Sequence, residues 1–99
     1  MKIATHNVEF LFEEGTHSHS GKKWNYKKEL VEARIDHFSK LFSEINADIL
    51  LLQEVASQSV IERIIAKTRI DYSYFFANPD KNGVGNVVLY KQRDCSITF

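Results

Sequence analysis

The sequence predicts an α/β fold with a mixed sheet, its elements running β-α-β-α-β-β-β. Three observations carry this. A short β-prone stretch opens the chain, and an amphipathic helical stripe follows it. Then comes an unbroken apolar run, Ile49-Leu50-Leu51-Leu52, of the kind found in strands buried on both faces. Strands alternating with helices place the helices on the faces of a sheet.

The first strand is read over Lys2 to Val8. Glu13 to Lys23 holds two glycines, two histidines and several hydroxyl residues, and reads as a loop. From about Tyr26 the pattern is helical. Val31, Ile35, Phe38, Phe42 and Ile45 recur at steps of four and three, Leu30 and Leu41 widen the stripe, and Asn46 is a stop signal. After the strand through Ile49 to Leu52, Ser59 and Glu62 have capping-box spacing for a second helix ending near Lys67. Tyr72 to Phe76 reads as an aromatic strand in the core, and Asn78 to Gly83 as a turn cluster. Asn86 to Lys91 reads as a further strand, and Ser96 to Phe99 as the start of another that the chain end interrupts. That ending suggests a partial domain spanning 1–99, with an open edge that invites self-association or a complementary chain.

Composition narrows the class. With 43% hydrophobic residues and no net charge, the chain lacks the signature of disorder. The 13 basic and 13 acidic side chains cancel, so total charge points neither to nucleic acid nor to an anionic membrane. Cys95 is the only cysteine, which excludes an intrachain disulfide and a thiolate zinc cluster. The N-terminus turns polar too early for a secretory signal, and no apolar run approaches the ~20 residues of a membrane span. The expectation is a soluble, cytoplasmic protein.

Chemistry is expected where the first two sheet strands end. Paired in parallel, they bring their carboxyl ends to one edge, where open α/β sheets place ligands. The residues there are Asn7, Val8 and Glu9 on one strand, and Gln53 and Glu54 on the other. Glu54 puts a carboxylate directly after four apolar residues, and such a charge needs a cation, hydrogen bonds or water. An amide oxygen with carboxylates is the hard-oxygen set that suits Mg²⁺. A solvated strand-end glutamate and a turn-forming asparagine are the plainer alternative.

Ile3 to Phe12 (IATHNVEFLF) resembles the opening motif of the endonuclease/exonuclease/phosphatase superfamily, especially a bacterial branch that opens N-V-E-N-L-F. Ala47 to Val55 (ADILLLQEV) is similar to that family's D-I-(I/L)-x-L-Q-E-V segment, and Gly83 to Lys91 resembles its later G-x-G-x-(A/V)-(I/V)-L-Y strand. The three agree in order and spacing across essentially the whole chain. The resemblance implies the N-terminal half of a layered α/β sandwich and a phosphoesterase requiring Mg²⁺ or Mn²⁺. It implies Glu54 as a metal ligand and Asn7 as an active-site amide supporting metal or substrate. Glu9 would lie near the metal, and Gln53 behind the ligand, orienting it. His6 replaces a frequent aromatic residue and Phe10 an asparagine. The family's later catalytic motifs fall beyond this chain's length, so the chain is expected to be inactive alone.

The substrate class implied is a phosphate ester, with nucleic acid as the first expectation and lipid or sugar phosphates as others. A non-enzymatic half-domain is the rival reading. His17 and His19 are two potential ligands in a loop, short of a zinc site. His37 is expected to pack or face water. Lys22 to Lys28 sets four lysines around Trp24 and Tyr26, which is either a nucleic-acid footprint or a solvated segment. Gly83 and Gly85 would permit close backbone approach.

Overall fold

The four-three spacing of Val31, Ile35, Phe38 and Phe42 produces one helix whose buried face is those four side chains with Ser39. The computed structural model describes residues 1–19, 21–77, 79–81 and 83–92. Its elements are β1 (Ile3–Leu11), β2 (Gly15–His19), β3 (Lys22–Tyr26), α1 (Lys28–Ile45), β4 (Ile49–Val55), α2 (Gln58–Thr68), β5 (Tyr72–Ala77) and β6 (Gly85–Lys91). The main sheet runs β1-β4-β6-β5, with β1 and β4 parallel and the other neighbours antiparallel. The α/β class and the mixed sheet are as expected.

Two local expectations are corrected. Glu13 to Lys23 is not a loop: most of it forms the antiparallel hairpin β2–β3, from Gly15 opposite Tyr26 to His19 opposite Lys22. Its polarity hid it, because a hairpin outside the main sheet needs little apolar alternation. The second helix is capped by Ser57, whose Oγ accepts the Val60 N–H at 3.3 Å, so Ser59 and Glu62 do not form the cap. The strand expected over Ser96 to Phe99, and Cys95 with it, lies outside the described residues.

α1 ends as predicted. Asn46 takes a left-handed backbone (φ 49°) and its N–H returns to Phe42 O at 2.9 Å. The turn before β6 is organised by Asp80, which accepts the Val84 N–H at 3.0 Å. Asn78 and Asn82, expected to share in it, lie outside the described residues. Gly85 allows a close approach there: a Cβ would stand 2.7 Å from Ala77 O.

Both helices cover one face of the sheet. Val8, Leu50, Leu52, Val87, Leu89 and Tyr72 meet the apolar faces of α1 and α2 in a single core. The helices touch through small residues, with Ser39 Oγ donating to Ile35 O at 2.6 Å and reaching Ile64 O at 3.4 Å. The apolar run of β4 is therefore covered on one face only among the described residues. Leu51 is 38% exposed on the second face, with Ile3 at 60% and Phe75 at 40%. The aromatic strand divides likewise: Tyr72 is buried and donates its hydroxyl to Ala47 O (2.6 Å), while Phe75 turns outward. Burial, reinforced by the charge of Asp48, pushes the Tyr72 phenol above its ordinary pKa. No helix of the described residues is long and apolar enough to cross a membrane.

Candidate functional site at the sheet edge

Parallel pairing of β1 with β4 puts Ile3 opposite Ile49 and carries the register up to Asn7 opposite Gln53. Glu54 follows one residue later, so Asn7, Glu9, Gln53 and Glu54 share the carboxyl edge, on strands spaced by about 4.8 Å. The edge is irregular on both strands. Between the Asn7–Gln53 and Leu11–Val55 pairs, β1 spends two more residues than β4. Between Leu52–Val87 and Val55–Gly85, β4 spends one more than β6. These are bulges, devices that re-aim side chains.

The bulges hold unusual backbone. Glu9, Phe10 and Glu54 have φ of 51°, 54° and 60°. Left-handed conformation costs a non-glycine residue roughly 1–2 kcal/mol, and a bulky residue such as Phe10 is a clear outlier there. Strain of this kind persists only where surroundings enforce it, and it gathers at functional sites.

Two devices enforce it on β1. Asn7 Oδ1 accepts the Glu9 N–H at 2.7 Å, closing a side-chain turn around Val8. Arg34, half-buried on α1, donates Nη1 to Phe10 O at 3.1 Å, and Nη2 to Glu9 O at 3.0 Å and to Val8 O. One planar guanidinium thus gathers three successive carbonyls that the strand ladder has released, a task its rigid fork of donors suits. The same guanidinium lies 5.7 Å from the Phe38 ring centroid. Sequence reasoning missed Arg34. Its position four before Phe38 was visible, but its partners lie 24 to 26 residues earlier in a bulge that no pattern announces.

The predicted residues differ in their commitments. Glu54 is half-buried, and its carboxylate makes no hydrogen bond or ion pair among the described residues. Glu9 and Asn7 are exposed. Gln53 Nε2 donates to Thr5 Oγ1 (2.8 Å) and Leu51 O (3.1 Å), so this nitrogen braces β1 against β4 and does not reach Glu54. His6 sets its ring edge-on to Phe38 and Phe42 at 5.8 and 6.5 Å, doing the work of an aromatic residue. Phe10 stacks on Phe12 at 6.2 Å.

The remaining histidines separate. His17 stacks on Phe12 at 4.4 Å and its Nε2 lies 2.8 Å from Glu13 O, an anchoring role at the foot of the hairpin. The side chains of His19 and Trp24 lie outside the described residues. His37 is exposed on α1. Beside the edge, two residues beyond Glu54, a cleft of about 460 Å³ opens between the start of α2 and the β5–β6 turn, with Glu13, Ser57, Ser59 and Phe76 in its wall. The Glu13 carboxylate makes that cleft a poor seat for a phosphate.

The side chains at this edge offer oxygen donors, the chemistry a hard cation takes. No group of three or more His, Cys, Asp or Glu side chains suited to a metal occurs among the described residues. Mg²⁺ does not demand one, because it keeps several waters and binds through one or two carboxylates with substrate phosphate. Glu54 offers both oxygens, and Asn7 Oδ1 retains a second lone pair beside the one given to Glu9. Compared with described protein families, curated proteins and solved structures, the chain matches none.

Proposed function

We propose that the chain forms the N-terminal corner of a divalent-metal-dependent phosphoesterase of the endonuclease/exonuclease/phosphatase type, acting in the cytoplasm on a phosphodiester. One observation carries the reading: two adjacent parallel strands bring to one edge Asn7, in register with Gln53, and Glu54, whose backbone is left-handed and whose half-buried carboxylate is unpaired among the described residues. A solvated strand end has no need of such backbone. Glu54 would hold Mg²⁺ or Mn²⁺, with Asn7 or Glu9 supplying a second oxygen. Held by these residues, such an ion would supply Lewis-acid polarisation of a phosphoryl oxygen and charge stabilisation at the leaving oxygen. The chain's own work is placement: Arg34 and the Asn7 turn fix the β1 bulge, and Gln53 fixes the strand spacing through Thr5. The groups that orient the attacking water in the resembled family are not among these residues, so the isolated chain is expected to show no enzymatic turnover.

Paramagnetic Mn²⁺ titrated into ¹⁵N-labelled protein tests the site. Broadening centred on the amides of residues 7–10 and 53–55, declining with distance from them and abolished by Glu54→Gln, supports it. Uniform broadening, or none at millimolar Mn²⁺, removes the metal from this edge.

The rival, a non-enzymatic half-domain completed by a complementary chain or a second copy, is favoured by the exposure of Ile3 and Leu51 on the second face of the sheet. Sedimentation equilibrium that finds a monomer at all concentrations argues against self-association. Lipid and sugar phosphates stay open as substrates, because an ion held here would act on the phosphoryl group, which all of them share.

A further inference from the structure

The hairpin β2–β3 differs from the rest of the molecule in charge. Residues 15–28 hold Lys22, Lys23, Lys27 and Lys28 and no acidic residue. The whole chain has 13 cations and 13 anions, so the remainder carries nine against 13, and a neutral protein is divided into a +4 arm and a −4 body. All four lysines are exposed. Among the described residues only Lys28 has a carboxylate near it, Glu32 at 4.0 Å across one helical turn.

The arm is anchored at its foot. Phe12 stacks on His17 at 4.4 Å and lies 5.3 Å from the Tyr26 ring, so the apolar side of the hairpin turns inward. Thr16, Lys23 and Asn25 are left exposed. Helix α1 starts directly from the arm, and Lys27, its N-cap, makes no side-chain capping bond. Lysines at this end oppose the helix dipole, and a bound anion would relieve that cost. The hairpin also follows β1 within four residues, so it leaves the same sheet edge that carries Asn7, Glu9 and Glu54.

We propose that this hairpin is an arm that grips the phosphate backbone of a nucleic-acid strand and holds it across the sheet edge. From Lys22 to Lys27 the strand covers about 17 Å at ~3.4 Å per residue. One strand of a duplex presents a phosphate about every 3.4 Å along its axis, hence about five over that length. Three exposed cations, Lys22, Lys23 and Lys27, fall within that length, and Lys28 follows at the start of α1. Contacts of this sort position a strand without reading its bases, so binding is independent of sequence. Among the described residues the exposed position between the lysines is the polar Asn25, which suits a nucleic-acid strand, whereas a lipid surface needs apolar insertion. Orientation toward Glu54 rests on the phosphoesterase reading; binding does not.

The test is fluorescence anisotropy with the 99-residue chain in EDTA, using a labelled 12-nucleotide single strand and a 12-base-pair duplex. Four phosphate contacts give salt slopes of about −2.8 for the single strand and −3.6 for the duplex. Affinity then falls about 50-fold and about 150-fold, respectively, between 50 and 200 mM KCl. The quadruple variant K22Q/K23Q/K27Q/K28Q is expected to lose at least tenfold in affinity at 50 mM KCl and most of the slope. The corresponding Lys→Arg variant keeps both, which separates lost charge from lost folding. A charge-matched control with Lys40, Arg63, Lys67 and Lys81 changed to Gln stays within twofold of the parent. The proposal is overturned if the quadruple Gln variant binds within twofold of the parent, or if the control loses as much. It is equally overturned if the chain binds neither oligonucleotide, or binds only phosphatidylserine vesicles. Because the measurement is metal-free, it can fail while the Mn²⁺ titration at Glu54 succeeds, or succeed while that titration fails, so failure of either reading is distinguishable from failure of the other.

Discussion

Replacing Arg34 by alanine removes the single group that gathers Val8, Glu9 and Phe10 carbonyls in the β1 bulge. A hydrogen bond to a charged donor contributes roughly 1.5–3 kcal/mol where the acceptor is shielded from water, and less where water replaces it. Glu9 is exposed, so its carbonyl is rehydrated cheaply, whereas Val8 is fully buried and Phe10 half-buried. Two shielded acceptors at the low end, with some relaxation of the bulge, amount to about 2–3 kcal/mol. The contact with Phe38 adds roughly 0.5 kcal/mol. Against a typical stability of about 5–15 kcal/mol this is a large share. In a domain of this size it corresponds to a fall of roughly 10–20 °C in Tm. Arg34→Lys retains the charge but not the planar fork, and should recover less than half of the loss. Urea denaturation supplies the free energies. The Glu9 amide resonance, fixed by Asn7 Oδ1, reports whether the bulge itself has moved. A loss below 0.5 kcal/mol with the Glu9 resonance unchanged would refute the role assigned to Arg34.

Glu54→Gly should relieve roughly 1–2 kcal/mol of left-handed strain and surrender about 0.5–1 kcal/mol of chain entropy. The net is a protein as stable as the parent or slightly more so, which denaturant unfolding checks, and one without Mn²⁺-induced broadening at the edge. Ser57→Ala should cost about 1 kcal/mol as the loss of an N-cap, and Ser59→Ala less than half of that; equal costs would return the cap to Ser59. Tyr72, its pKa raised by burial and by Asp48, binds its proton more tightly folded than unfolded. Its contribution is therefore fully present below pH 10 and lost as pH rises through the folded value. Tm followed by circular dichroism should fall steeply above pH 10 in the parent and less steeply in Tyr72→Phe. That variant should also be about 1–2 kcal/mol less stable at pH 7, through the unmet Ala47 carbonyl.

Periodicity reaches as far as a side chain's own element. The steps of four and three from Val31 to Phe42 determined α1, its buried face and its stop at Asn46, because a helix repeats locally. The run from Ile49 to Leu52 determined a strand, and the carboxylate after it determined where charge would meet the core. The sequence alone thus predicted the α/β class, and it placed Asn7, Glu9, Gln53 and Glu54 at one edge on the condition, met by the register, that β1 and β4 pair in parallel.

Tertiary structure decided what local pattern does not encode. That only one face of β4 is covered by helices depends on where α1 and α2 pack, and an apolar run is the same whichever face is filled. The hairpin is stabilised by rings at its foot, so its polar strands carry no alternation to read. Gln53 turned to Thr5 because register set those two side by side. Most consequential is the bulge at the edge, whose left-handed residues persist because Arg34, 24 residues downstream, holds their carbonyls. Strain of that kind has no local signature: the sequence names the residues, and only the packed chain supplies the force that keeps them in place.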